Sequence, residues 1–182
     1  MSFDHSLVVG GTGMLSDATR FIKRESHLMT LISRNARSVA PSFGVPVDSA
    51  FSLDWRDTET FAASLSTRLQ TVRPDFALLW IHSNGHQTLL WIMRTLSATP
   101  ATVVQVVGSS FGDPNSPDPE IDAIVSAANS MHYTRVVLGS VETTHGLTRW
   151  LTNDEISNGT IQAIISGRSL LVGDTLRRTD VD

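Results

Sequence analysis

Short apolar runs rich in β-branched residues alternate with helix-patterned segments along the whole chain, and this alternation limits the fold more than any other feature of the sequence. Strands are expected at Ser6–Gly10, Leu28–Ser33, Ser49–Trp55, Phe76–His82, Thr102–Gly108, Tyr133–Gly139 and Ser169–Val172. Helices are expected at Met14–Arg24, Thr58–Thr71, His86–Ala98, Pro119–Ser130 and Thr152–Ile165. Phe61, Leu65, Leu69 and Val72 recur at helical spacing in and just after the second of these, and the last opens on Thr-Asn-Asp-Glu, a capping-box pattern. The runs FALLWI and TVVQVV are nearly continuous in apolar residues, as strands covered on both faces must be. Together these predict a doubly wound, mostly parallel sheet of about seven strands with helices on both faces, a three-layer α/β/α arrangement. Neither a repeat nor a linker interrupts the sequence, so residues 1–182 are expected to form a single domain. Pro and Gly cluster at 41–46, a loop between the second and third strands, and again at 112–119, in a polar loop after the fifth.

Composition narrows the function by exclusion. Hydrophobic residues make up 41% and charged residues 18%, the balance of a folded domain rather than a disordered one. A net charge of −4 gives no general attraction for nucleic acid or anionic membranes. The absence of cysteine excludes disulfides, thiolate catalysis and Cys-ligated metals. No apolar run reaches the roughly 18 residues of a membrane span. The N-terminus, MSFDHSLVV, has an Asp and no basic residue before its apolar run, unlike a signal peptide. A cytoplasmic protein is expected.

The chemistry is concentrated in LVVGGTGMLS, residues 7–16. Its glycines fit two registers, Gly11-x-Gly13-x-x-Ser16 and Gly10-x-x-Gly13-x-x-Ser16, each set between a strand and a helix. Positions without side chains let the backbone approach a pyrophosphate, whose charge meets unpaired N–H groups at the helix N-terminus. Gly10, Gly11, Thr12, Gly13, Met14 and Leu15 are therefore candidate dinucleotide contacts. Ser16 stands where a third glycine would allow close packing of helix on strand.

The second strand selects the cofactor. A NAD site wants an Asp or Glu at that strand's end for the ribose hydroxyls. No acidic residue occurs between Ser26 and Val47; the strand end instead carries Ser33, Arg34, Asn35 and Arg37. A guanidinium there favours a 2′-phosphate through charge-assisted hydrogen bonds, so NADP(H) is preferred over NAD(H). At the third strand's end, Asp54 is positioned to accept from the adenine amino group, beside Trp55, and Asp57 suits a helix N-cap. His82 and Ser83, at the end of the fourth strand, complete the candidate cofactor contacts.

These segments resemble the short-chain dehydrogenase/reductase superfamily over about residues 6–140. GGTGML resembles its glycine motif, SRN an NADP-type second-strand end, and LDWRD its adenine-side Asp segment. HSNG stands where the superfamily has an Asn-Asn-Ala-Gly type segment, and VVGSS resembles the stretch bearing its catalytic Ser, which implies Ser109 or Ser110 here. The C-terminal RWLTNDEISNGTIQAI is similar to that of small proteins of the same kind. The resemblance implies a Rossmann fold and a nicotinamide cofactor. It does not carry over the superfamily's acid, a Tyr followed four residues later by a Lys. The chain has one Tyr, Tyr133, followed at that distance by Val137, and its one lysine is Lys23. Tyr133 also begins a strand, away from the strand C-termini where ligands bind, and a structural role is expected of it.

Hydride transfer belongs to the nicotinamide, and the protein need supply only orientation and a proton donor. Just beyond strand ends lie Ser110, His86 and His145 as donor candidates, with His82, Ser109 and Arg149 nearby. No metal site is expected: His82 and His86 straddle a strand-to-helix turn without a third ligand. The single lysine excludes a Walker-type phosphate loop, and a methyltransferase would want the missing second-strand acid. Two functions stay open: an atypical NADPH-dependent reductase of a small carbonyl or imine substrate, and a non-catalytic NADP(H)-binding sensor or partner subunit. A cofactor-free scaffold is the third reading. With only about 40 residues after the sixth strand, the substrate cleft is expected to be shallow unless the 109–119 loop or a second copy of the chain covers it.

Overall fold

The computed structural model of the chain describes residues 1–108, 118–128, 130–142 and 148–174. In chain order the elements are β1 (Phe3–Val9), α1 (Ser16–Arg24), β2 (Ser26–Ser33), α2 (Ala36–Val39), β3 (Ala50–Ser52), α3 (Thr58–Thr71), β4 (Phe76–Trp80), α4 (His86–Leu96), β5 (Ala101–Gly108), α5 (Pro119–Ala127), β6 (Met131–Leu138), β7 (Ser140–Glu142), β8 (Thr148–Trp150), α6 (Asn153–Ser166) and β9 (Leu170–Val172). Seven strands form one sheet in the order β3-β2-β1-β4-β5-β6-β9. All of its neighbouring pairs are parallel. The strand order reverses between β1 and β4, which opens a crevice beyond their C-terminal ends.

Side chains alternate across the sheet and find a core on each side. Val8, Leu78, Val104 and Val136 pack with Leu15, with Ala18 and Ile22 of α1, and with Ile156 and Ala163 of α6. Leu7, Val9, Leu79 and Val103 pack with Phe61, Leu65 and Leu69 of α3, with α4, and with Ile121 of α5. Burial on both faces is why the central strands are apolar without alternation. Helix ends follow local chemistry. Asp57 caps α3 by accepting from the Thr60 N–H at 3.0 Å. Thr152 and Glu155 form the capping box of α6, which Gly167 closes in the left-handed region.

Several expected boundaries move. Helix α1 begins at Ser16, not Met14, because Gly13–Ser16 is a turn in which the Ser16 N–H donates to the Gly13 carbonyl at 2.9 Å. Strand β3 pairs over three residues only, since Val47–Ser49 winds as a 3-10 turn before it. Helix α5 stops at Ala127, where Ala128 becomes extended. The antiparallel hairpin β7–β8, pairing Ser140 with Trp150 and Glu142 with Thr148, was not expected. Three-residue strands are too short for period-two patterning to show.

A buried polar chain ties β1, β2 and α3 together. His5 Nδ1 donates to the Val72 carbonyl at 2.8 Å, which leaves Nε2 to accept from Thr30 Oγ1 at 2.8 Å. Thr30 Oγ1 in turn accepts from Arg68 Nε at 3.0 Å. The bond from Thr30 to Nε2 is made by a neutral imidazole. Burial, and then the Arg68 charge, lower the His5 pKa below 6.5 against the opposing pulls of the Val72 carbonyl and Asp75. The unfolded chain therefore takes up this proton at a higher pH than the fold does. The contribution of His5 to stability is complete above pH 6.5 and is lost as pH falls below it. The urea midpoint is expected to drop between pH 7.5 and 5.5, and to drop less in His5→Gln; equal drops in both proteins would refute this assignment.

Candidate functional site

Beyond the C-terminal ends of β1 to β4 lies a cleft of about 630 Å³. Its floor is the turn after β1. Gly10 adopts φ +79°, and its N–H donates to the Ile32 carbonyl at 2.9 Å. A Cβ at Gly10 would overlap the Trp80 carbonyl, so only glycine lets β1 and β4 approach there. Gly11 is buried beneath α1, where a Cβ would overlap Thr19 and Val8. Thr19 Oγ1 donates to the Gly11 carbonyl at 2.8 Å. The close packing of helix on strand expected at Ser16 thus occurs at Gly11, and Ser16 is the first helical residue. Gly13 faces the cleft, and a Cβ added to it would have no neighbour within 4 Å. Leu15, at the N-cap of α1, offers no side-chain cap to the helix's first N–H groups. An open glycine below an uncapped helix end suits an oxyanion group.

The second wall comes from the end of β2 and the residues leading into α2. Ser33, Arg34 and Asn35 all line the cleft. Asn35 Oδ1 accepts from Ser33 Oγ at 2.9 Å and from Thr12 Oγ1 at 3.4 Å, linking this wall to the glycine turn. Arg34 is exposed and makes no hydrogen bond or ion pair among the described residues. The third wall is Asp54, Trp55 and Arg56 after β3. Arg56 grips Asp54 through Nε at 3.1 and 3.0 Å and Nη2 at 2.5 Å. The side-chain and backbone bonds from Arg56, reinforced by charge, hold the Asp54 carboxyl at about 2. On the fourth side His82 sits edge-on to Trp80 at 4.9 Å and tilted to Trp55 at 5.8 Å. Asn84 Oδ1 accepts from Trp55 Nε1 at 3.3 Å.

Of the remaining candidates, those among the described residues do not line the cleft with their side chains. Met14 and Leu15 turn inward, Leu15 being fully buried, although the Met14 carbonyl accepts from Ser157 Oγ at 3.1 Å. Arg37 lies outside the lining and binds β3, its Nε donating to the Ala50 carbonyl at 3.3 Å. Ser83 begins a 3-10 turn that presents Asn84 to the cleft instead. His86 opens α4 and directs Nε2 to Glu120 of α5 at 2.7 Å. Ser109, Ser110 and His145 lie outside the described residues. Arg149 is paired with Glu155 at 2.7 Å, which holds that carboxyl at about 2. Tyr133 hydrogen-bonds Gln105 and Arg135 within the sheet, and Lys23 is in the last turn of α1. Among the described residues no group of three acidic or histidine side chains could hold a metal.

Arg56, Trp80 and Asn84 are lining residues absent from the candidate contacts read from the sequence. The signal for Arg56 was present in Asp-Trp-Arg-Asp, a turn that brings the third residue's guanidinium back to the first residue's carboxylate.

No family model and no curated protein matches the chain by sequence. Its fold, however, is similar to solved structures over nearly all its length. An enoyl-[acyl-carrier-protein] reductase (NADH) from Aquifex aeolicus VF5 aligns with a TM-score of 0.60 at 12% identity, covering 98% of each chain. A gluconate 5-dehydrogenase from Burkholderia cenocepacia J2315, in complex with NADP and tartrate, aligns at 0.59 and 13%, covering 95% of this chain and 94% of that one. An oxidoreductase of the short chain dehydrogenase/reductase family from Brucella ovis, in complex with a partially ordered NAD, aligns at 0.59 and 11%, covering 93% and 99%. The chain shares with these oxidoreductases the three-layer α/β/α Rossmann fold.

Proposed function

We propose that the cleft binds a nicotinamide dinucleotide, NADP(H) in preference to NAD(H), and that the chain is a short-chain-dehydrogenase-like reductase of a small carbonyl or imine substrate. One observation carries the reading: a single cleft joins the open Gly13 turn to Arg34 and Arg56, with no acidic side chain other than the Arg56-bound Asp54 in its lining. The glycine turn and the N-terminus of α1 suit the pyrophosphate, and Arg34 suits a 2′-phosphate that is close to doubly charged at neutral pH. The known fold relatives in complex with NADP and NAD support the same cofactor class. When bound, the nicotinamide supplies the hydride. The chain's part is to hold the adenosine half; Ser110 and His145 are the candidate donors of the accompanying proton, and His86 is one only if it leaves Glu120.

The test is fluorescence titration with NADPH and NADH. Arg34→Ala is expected to weaken NADPH by about 10–100-fold, the loss of one charge-assisted contact, and to leave NADH within about twofold. Equal affinity for both nucleotides in the parent and the variant would remove the NADP preference. Failure of both to bind below millimolar concentration would remove the dinucleotide reading.

A second reading, an NADP(H)-binding sensor or partner subunit without turnover, is favoured by how the titratable groups are engaged. The one Tyr is bonded inside the sheet, the one Lys is on α1, and His86 is tied to Glu120. Stereospecific loss of hydride from NADPH with a panel of small carbonyls, reduced in Ser110→Ala or His145→Ala, supports the reductase. Tight NADPH binding without turnover supports the sensor.

A further inference from the structure

We propose that Arg56 is a second 2′-phosphate ligand alongside Arg34, and that Asp54 is the positioning residue that holds it rather than an acceptor for the adenine ring. This inference rests on the NADP(H) reading of the cleft. Three N–H groups reach the Asp54 carboxylate, and among the described residues all belong to Arg56: the backbone N–H at 3.0 Å, Nε shared between both oxygens at 3.1 and 3.0 Å, and Nη2 at 2.5 Å. A carboxylate has about four lone-pair sites, and three N–H groups, one of them spread across both oxygens, leave little of that capacity for an adenine amino group. Arg56 Nη1 makes no hydrogen bond among the described residues, and Arg56 lines the same cleft as Arg34. A phosphate monoester with a charge near −2 is best met by two forked guanidiniums, and one of these is fixed in advance by its bidentate carboxylate. A side chain already held in place loses less conformational freedom when the ligand arrives. Trp55 lies between these two residues in the chain, on the same wall, and offers a flat indole against which a base could lie.

The experiment is a set of titrations of the full chain with NADPH, NADH and 2′,5′-ADP, using Arg56→Ala, Asp54→Ala and the double variant. All these positions border solvent, and NADH affinity reports whether each variant keeps its cleft. Arg56→Ala is expected to weaken NADPH and 2′,5′-ADP by about tenfold, the loss of one charged hydrogen-bonding partner, with NADH unchanged. Asp54→Ala should weaken the same two ligands by several-fold, spare NADH, and add nothing in the Arg56→Ala background, because it acts through Arg56. Three results would overturn the proposal. NADPH and NADH weakening together in Asp54→Ala would show a contact to the adenine ring they share. Tighter NADPH binding in Asp54→Ala would show a carboxylate that merely repels the phosphate. An NADPH affinity that depends on Arg34 but not on Arg56 would confine the 2′-phosphate to one ligand while leaving the cofactor assignment intact. If the parent protein binds none of the three ligands, the cofactor assignment itself fails, and this inference with it.

Discussion

Gly10→Ala is expected to destabilise the fold by about 2–5 kcal/mol, combining about 1–2 for a side chain in the left-handed region with about 1–3 for overpacking. The clash is with backbone: a Cβ at Gly10 would overlap the Trp80 carbonyl of β4. Relief by rotation is blocked from the other side, since the Gly10 N–H donates to the Ile32 carbonyl of β2 at 2.9 Å. The glycine therefore sits at a junction of three strands, where β1 cannot draw away from β4 without disturbing its own ladder with β2. Gly44 provides the control. It too has a positive φ, +66°, but open space where its Cβ would lie. Gly44→Ala should cost only the conformational part, about 1–2 kcal/mol. Urea denaturation of both variants measures the difference, which isolates the contact from the strain. Should the two substitutions cost the same, close approach of β1 and β4 is not what Gly10 provides. The expected loss is large against a total stability of about 5–15 kcal/mol, so Gly10→Ala tests the fold and is unsuited to testing ligand binding.

The sheet was legible because its physics is simple. Strands buried on both faces must be apolar at every position, and FALLWI and TVVQVV became β4 with its following residue and the body of β5. Helix α3 was legible to the residue, having both a period of apolar residues and an Asp N-cap. The hairpin β7–β8 was not, since three residues per strand carry too little pattern. The glycine turn was legible as a turn, but the division of labour within it was not. Sequence assigns close packing by motif position, whereas in the fold it is Thr19, one turn into α1, that descends onto Gly11. Arg37 and Arg34 look equivalent in the sequence. The difference is that Arg37 lies on α2 and reaches back to the Ala50 carbonyl, while Arg34 precedes that helix and faces the cleft. His86 shows a second limit. Being next to a strand end says nothing about direction, and the first turn of α5, far away in sequence, supplies Glu120 as its partner.

Gly13→Asp should leave the fold as stable as before and weaken NADPH and NADH alike by about 100-fold or more. The two halves of this expectation rest on different features of one residue. Gly13 is exposed, its φ is not in the left-handed region, and no atom lies within 4 Å of where a Cβ would stand. An aspartate there is free of strain, and a carboxylate just ahead of the N-terminus of α1 has a mildly favourable interaction with the helix dipole. The same carboxylate would occupy the space beside the glycine turn into which a pyrophosphate fits. Two like charges about 4 Å apart repel by about 4 kcal/mol at an effective dielectric constant near 20, roughly a thousandfold in affinity. The pyrophosphate is common to both cofactors, so NADPH and NADH should suffer equally, in contrast to substitutions at Arg34 and Arg56 that separate them. Thermal denaturation and the two nucleotide titrations, made on the same preparation, decide the matter. An unchanged melting temperature with binding lost assigns the turn to the ligand. Unchanged binding would mean that the turn holds no pyrophosphate, leaving Gly10 and Gly11 as glycines of packing alone.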